Sequence, residues 1–207
     1  MKPSSQADGP AVANTITSAV IPATALQEAI IVRPAKAGDV RFAAAITAEM
    51  AASAKARGTG IARRSVASIV EKILQGKAVI AVTMSGIWAG FSYLETWEQE
   101  QFVSNSGLIV APAFRERGVA ALIKQQVFRL SRVLYPAAKI FGITTGLAVM
   151  KLNTRLGFEP VTYDALTHDP AFWKGCSSCV NHGILCSKDG KNCLCTALLF
   201  DPALHAG

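Results

Sequence analysis

The stretch Val110-Ala111-Pro112-Ala113-Phe114-Arg115-Glu116-Arg117-Gly118-Val119-Ala120 decides the fold of this chain. Ahead of it, Phe102–Val110 is rich in β-branched and aromatic residues and reads as a strand. Behind it, Val119, Ile123, Val127, Leu130 and Leu134 recur at helical spacing, which predicts an amphipathic helix over Gly118–Tyr135. The first backbone N–H groups of a helix have no partner inside it, and the helix dipole draws an anion to them. Gly118 lets a ligand approach the backbone, Ala120 keeps the next position small, and Arg115 and Arg117 add positive charge. The turn is either a pyrophosphate cradle or a plain basic turn. It is not a P-loop, because the GxxxxGK[ST] spacing is absent.

Working outward, strand and helix patterns alternate. Ile30–Pro34 is a short strand ended by a proline. Asp39 stands where an N-cap belongs, before an Ala-rich helical stretch Val40–Ala56. Arg57-Gly58-Thr59-Gly60 breaks that stretch, and Ser65 caps a second helix, Val66–Gln75. Ala78–Thr83 and Ile87–Trp97 form a hairpin that Phe102–Val110 extends into a meander. Past the central helix come a strand Lys139–Thr145, a helix Leu147–Leu156 closed by Gly157, a strand Pro160–Leu166 and a last strand Leu194–Phe200. The expected class is α/β, a mixed, mostly antiparallel twisted sheet flanked by helices. Residues 1–28, rich in Ala, Ser, Thr and Pro, read as a mobile extension. Residues 29–203 read as a single domain, with a Cys-rich insert at 174–195.

Composition narrows the function classes. Of 207 residues, 51% are hydrophobic and only 17% charged, the opposite of a disordered chain. Lys and Arg number 21 against 14 Asp and Glu, a net charge of +7 that invites an anionic partner. The uncharged run Ala78–Leu94 stops short of the ~18 residues of a membrane span and holds a turn at Met84-Ser85-Gly86. No signal peptide is evident, so the expected location is cytoplasmic. The basic residues are scattered, without the interleaved aromatics that track a nucleic-acid backbone. Neither a membrane nor a nucleic-acid partner is expected, and a zinc-dependent nucleic-acid module or a non-enzymatic CoA-binding protein is the distant alternative.

The Arg115-x-x-Gly118-x-Ala120 turn, the later Leu156-Gly157-Phe158-Glu159-Pro160-Val161 and the opening Val32-Arg33-Pro34-Ala35 followed by Asp39 resemble the GNAT superfamily of acyl-CoA-dependent N-acyltransferases. The resemblance covers Ile30 to Leu166. It implies that acetyl-CoA is the acyl donor and that a small amine attacks the thioester directly. It also implies that backbone groups at Leu108, Ile109 and Val110 bind the pantetheine arm. Arg115, Glu116, Arg117, Gly118, Val119 and Ala120 would then meet the pyrophosphate. A homodimer is common in such a fold, but nothing here marks its interface. Relatives place a Tyr acid for the leaving thiolate where this chain has Asn153, so that role does not transfer.

For the general base, Glu95 near the end of the hairpin strand is the candidate, with Glu98 second; both also fit a solvated strand end. Arg63 and Arg64 lie where relatives wall off the acceptor, and arginine holds carboxylates bidentately; Tyr93 and Asn105 are the other candidate substrate contacts. Phrases such as Arg57-Gly58-Thr59-Gly60-Ile61-Ala62, Glu95-Thr96-Trp97, Ser104-Asn105-Ser106-Gly107, Phe172-Trp173-Lys174-Gly175-Cys176 and Cys193-Leu194-Cys195-Thr196 resemble a bacterial GNAT subgroup that acylates glutamate. That resemblance implies an amino-acid acceptor such as glutamate. Protein lysines, N-termini and aminoglycoside-like amines are the alternative acceptors.

All five cysteines lie in Cys176–Cys195. Cys176 with Cys179 and Cys193 with Cys195 form two close pairs, consistent with a structural, four-thiolate zinc site. A disulfide or redox pair and simple free thiols are the other readings, and spacing alone does not choose among them.

Overall fold

The computed structural model describes residues 23–58 and 62–205. Seven strands form one sheet: β1 (Ile30–Pro34), β2 (Ala78–Thr83), β3 (Trp88–Trp97), β4 (Phe102–Val110), β5 (Lys139–Thr144), β6 (Glu159–Val161) and β7 (Thr196–Phe200). Their order is β1-β2-β3-β4-β5-β7-β6. Every neighbouring pair is antiparallel except β4 with β5. The helices are α1 (Ala23–Gln27), α2 (Ala43–Arg57), α3 (Val66–Leu74), α4 (Val119–Leu134), α5 (Leu147–Thr154), α6 (Pro170–Lys174) and α7 (His182–Ser187). The mixed, mostly antiparallel α/β class read from the sequence is the one observed.

Two cores sandwich the sheet. On one face Val119, Ile123 and Val127 of α4 pack on Val79, Ala81, Leu94, Val103 and Ile140. On the other, Ile46 and Met50 of α2 and Ile69 and Ile73 of α3 pack on Ile80, Phe91, Tyr93 and Ile109. β2 sends Val79 and Ala81 to the first core and Ala78, Ile80 and Val82 to the second. β3 sends Ala89 and Leu94 to the first and Phe91 and Tyr93 to the second, so the run Ala78–Leu94 is a hairpin buried on both faces. Among the described residues no helix is long and apolar enough to cross a membrane. A third cluster, Phe141, Tyr163, Leu166 and Leu185, joins the C-terminal insert to the sheet.

Three readings change. The stretch 160–166 is a strand only over Glu159–Val161, and a 3-10 turn takes up Tyr163–Ala165. β6 is an edge strand, which is why Pro160 is tolerated there. The extension lies outside the described residues as far as residue 22. From Ala23 the chain is helical, Leu26 packs on the core, and the Glu28 carboxylate accepts from the Ser85 amide at 2.6 Å.

Asp39 is not the N-cap of a long helix. It sits in a 3-10 turn, Ala37–Phe42, that leads into α2. Its carboxylate accepts from both Arg33 guanidinium nitrogens, at 2.6 and 3.0 Å, and from the Lys36 amide at 2.7 Å. Burial pushes the Asp39 carboxyl up, but the hydrogen bonds from Arg33 and Lys36 outweigh it and leave it below its ordinary value. Its contribution to stability is therefore complete above the unfolded value of roughly 3.9 and is lost as pH falls through the folded one. Asp39→Asn is expected to lower unfolding free energy by about 1–3 kcal/mol at pH 7. In urea titrations at successive pH values, that deficit should shrink in acid.

Candidate active site

β4 and β5 make the central feature. They pair in parallel only at Phe102, Val103 and Ser104, opposite Lys139, Ile140 and Phe141, although both strands run on. Beyond Ser104 they diverge, and Asn105–Leu108 and Gly142–Gly146 border one cavity of about 600 Å³. Pairing of β3 with β4 shifts between Phe91 opposite Ile109 and Tyr93 opposite Ser106. The extra residue lies on β4, so a bulge takes the Gly107–Leu108 region out of the ladder and turns backbone groups toward the splay. Gly107 has φ +64°, and a Cβ there would stand 2.4 Å from the Tyr93 ring. Only glycine fits.

At the exit of β4 the chain passes through the turn to α4. Gly118 caps the helix at φ +76°, with nothing within 4 Å of where its Cβ would be. A second cavity, about 340 Å³, lies against this helix start. Val110, Arg115, Glu116, Gly118, Val119 and Ala120 border it, and so do Lys151 and Arg155 from α5. An open glycine, unpaired first-turn amides and three bordering cations fit a pyrophosphate-bearing group, and the splay fits the narrow arm that would follow it.

Arg115 borders this second cavity, although its guanidinium is also engaged by neighbouring groups. Arg115 Nη2 pairs with Glu49 at 2.6 Å and donates to Ser53 Oγ at 2.9 Å, while its Nε donates to the Val110 carbonyl at 3.2 Å. It staples α2 to the turn. Arg117 lies over the Phe114 ring, 5.6 Å from its centroid. Lys151 and Arg155 stand at the helix start as well; α5 reaches it only through the tertiary fold. Of the arm-binding candidates, Leu108 borders the splay cavity and Val110 the second one, whereas Ile109 is buried in the α2–α3 core.

One sheet face forms the floor of the large cavity. Tyr93 and Glu95 lie opposite Ser106 and Ser104, so all four point the same way. Glu95 pairs with Lys72 Nζ at 3.0 Å. Arg64 Nε donates to the Tyr93 hydroxyl. Burial raises the Tyr93 phenol above its ordinary value, although the Arg64 charge opposes this. Arg57, Arg63 and Arg64 border the cavity beside that pair. Four cations thus face one carboxylate.

Asn105 borders the cavity, but its amide is spent on the far face: Nδ2 donates to Ser131 Oγ at 2.7 Å and Oδ1 accepts from Lys124 at 3.2 Å. Asn153 is buried, and its Oδ1 has no hydrogen-bond partner. Glu98 is outside the cavity lining; its carboxylate accepts from Thr167 Oγ1 at 2.8 Å and from the His168 amide.

The C-terminal insert is the opposite wall. It contributes Phe172, Trp173, Cys176, Cys179, Cys193 and Cys195, and Ser178 Oγ accepts from the Arg63 amide at 3.0 Å across the mouth. Among the described residues, no group of three or more His, Cys, Asp or Glu is placed to hold a metal ion. The zinc expectation therefore gains no support, and the five cysteines are free. Burial pushes the Cys195 thiol up to about 12 and raises Cys176 as well, so both favour the neutral thiol. Shared strand face was the sequence signal, and it brings thiols near one another without setting ligand geometry.

No protein-family model and no curated protein matches the chain. Solved structures do. N-acetylglutamate synthase from Neisseria gonorrhoeae, complexed with coenzyme A and N-acetyl-glutamate, is 17% identical with a TM-score of 0.58 over 84% of this chain. A Mycobacterium tuberculosis protein in complex with CoA is 17% identical with a TM-score of 0.57, over 83% of this chain and 98% of its own. The fold is that of the GNAT acetyltransferases. A phosphinothricin acetyltransferase from Sinorhizobium meliloti in complex with acetyl-CoA has a TM-score of 0.54 at 17% identity, over 82% of this chain and 86% of its own. The chain spans only 35% of the Neisseria synthase.

Proposed function

We propose that this chain is an acyl-CoA-dependent N-acyltransferase whose acceptor is a small amine bearing a carboxylate, an amino acid such as glutamate among them. The observation that carries this reading is the β4–β5 splay, which opens between the free start of α4 and a cavity with four cations and one carboxylate. Solved structures of the same fold hold coenzyme A or acetyl-CoA, which supports the donor.

Acetyl-CoA, when bound, supplies an acyl group activated as a thioester. The amides at Gly118, Val119 and Ala120, with Lys151 and Arg155, hold the pyrophosphate end. Backbone groups of the Gly107–Leu108 bulge orient the carbonyl and stabilise charge on its oxygen. Glu95 takes the amine's proton, through water, from the same sheet face. Arg63 and Arg64 hold the acceptor carboxylate. The aromatic wall of Trp97, Phe172 and Trp173 excludes water and receives the acceptor's apolar atoms.

Thiol release from acetyl-CoA with a panel of amines tests this. Amino acids should turn over, and their decarboxylated counterparts should show acceptor KM raised about 10–100-fold, the worth of a charge-assisted pair. Arg64→Ala should raise acceptor KM similarly and leave acetyl-CoA affinity unmoved. Turnover of peptidyl lysine with none of free amino acids would sink the acceptor assignment. A Lys151→Ala, Arg155→Ala double variant should weaken CoA binding about tenfold at low salt, with less effect at high salt, as expected of exposed charges.

A further inference from the structure

Lys124 is buried, with 3% of its surface exposed, and has no ion-pair partner among the described residues. Its Nζ donates to Asn105 Oδ1 and lies 4.9 Å from the centroid of the Phe158 ring. An uncompensated cation in an apolar interior costs several kcal/mol, so the site is one that an incoming anion would relieve.

The surroundings show where that anion would arrive. Asn105 is the first β4 residue past the last β4–β5 pair. On β5, the point where a Cβ of Gly142 would stand lies 3.6 Å from the Asn105 carbonyl oxygen and 3.9 Å from Asn153 Nδ2. Asn153 Oδ1 is buried with no partner. Asn105 and Gly142 both border the splay cavity. Lys124, which holds Asn105 from the α4 side, therefore brings spare N–H donors directly beneath the apex of the splay, and Asn153, beside Gly142, brings an unused acceptor. A thiol sulfur uses one of each.

We propose that Lys124 is the acid for the leaving sulfur of the acyl donor, with Asn153 Oδ1 accepting from the thiol once formed. This rests on the acyl-transfer reading. As the acceptor nitrogen bonds to the acyl carbon, the carbon–sulfur bond breaks and its electron pair goes to sulfur. One Nζ proton passes to that sulfur, leaving Lys124 neutral until solvent reprotonates it; the amine's own proton departs through Glu95. The groups at Nζ are neutral, Asn105 Oδ1 from β4 and the Phe158 ring, and the other side of the Asn105 amide is held by the neutral Ser131 hydroxyl of α4. Burial alone pushes the ammonium down to about 7, which suits proton donation near neutrality.

The test is titration of the thiol of bound CoA, followed by ultraviolet thiolate absorbance, in wild type, Lys124→Met and Lys124→Gln. In wild type the bound thiol should titrate about one unit or more below free CoA, a roughly tenfold larger thiolate fraction at a given pH. Both variants should lose that shift while binding CoA within about threefold of wild type at acid pH. Lys124→Gln keeps a donor for Asn105 and decides the matter if Lys124→Met fails to fold; if neither folds, the wild-type titration decides. A bound thiol that titrates like free CoA in wild type, or a shift retained by Lys124→Gln, overturns the assignment to Lys124 alone. Wild type that binds no CoA overturns the acyl-transfer reading with it.

Discussion

Gly118→Trp is expected to weaken CoA binding at least about 100-fold, some 2.7 kcal/mol, with a loss of stability no larger than the backbone conformation imposes. The two halves of that expectation come from different features of one residue. Nothing lies within 4 Å of a Cβ at Gly118, so an indole meets no wall and projects into the space at the start of α4. There it displaces whatever the first-turn amides hold. The φ of +76° adds a backbone penalty of about 1–2 kcal/mol for any other residue. Gly118→Ala separates the two, because it carries the penalty without the bulk. Calorimetric titration of both variants should show affinity following size, while thermal midpoints fall alike.

Gly107→Ala should be the more damaging to the fold. A single methyl there would stand 2.4 and 2.8 Å from two carbons of the Tyr93 ring and 3.0 Å from the Met50 methyl, at a φ of +64°. Tyr93 is 1% exposed and its hydroxyl is held by Arg64, so displacing the ring breaks that hydrogen bond and its packing. Overpacking costs about 1–3 kcal/mol and left-handed strain about 1–3 more. A loss of about 2–6 kcal/mol in urea unfolding is expected, together with reduced turnover, since the same bulge faces the splay. A variant as stable as wild type would show that the ring moves freely.

Much of this was legible in the sequence because it is local. Gly118 and the apolar stripe of α4 lie within one turn and one helix, and the Ser65 cap accepts from the Ser68 amide as its position predicts. What escaped depends on partners far along the chain. Arg115 looked free because Glu49, which claims it, lies 66 residues earlier. Lys151 and Arg155 carry no signal in the sequence, since nothing local shows that α5 ends beside the start of α4. α6 and α7 are five and six residues long, too short for periodicity to mark them among Gly, Ser and Cys. Lys124 stands three residues before Val127 on the edge of the apolar stripe, where a lysine is usually solvated. Only the packing of β4 and Phe158 over it reveals a buried charge.

The most direct measurement is the release of thiol from acetyl-CoA by the full chain, with and without a carboxylate-bearing amine. The predicted result is saturable release that requires the amine and yields its N-acetyl derivative in equal amount. Binding of acetyl-CoA with no amine-dependent release, across amino acids and other amines alike, would contradict the account.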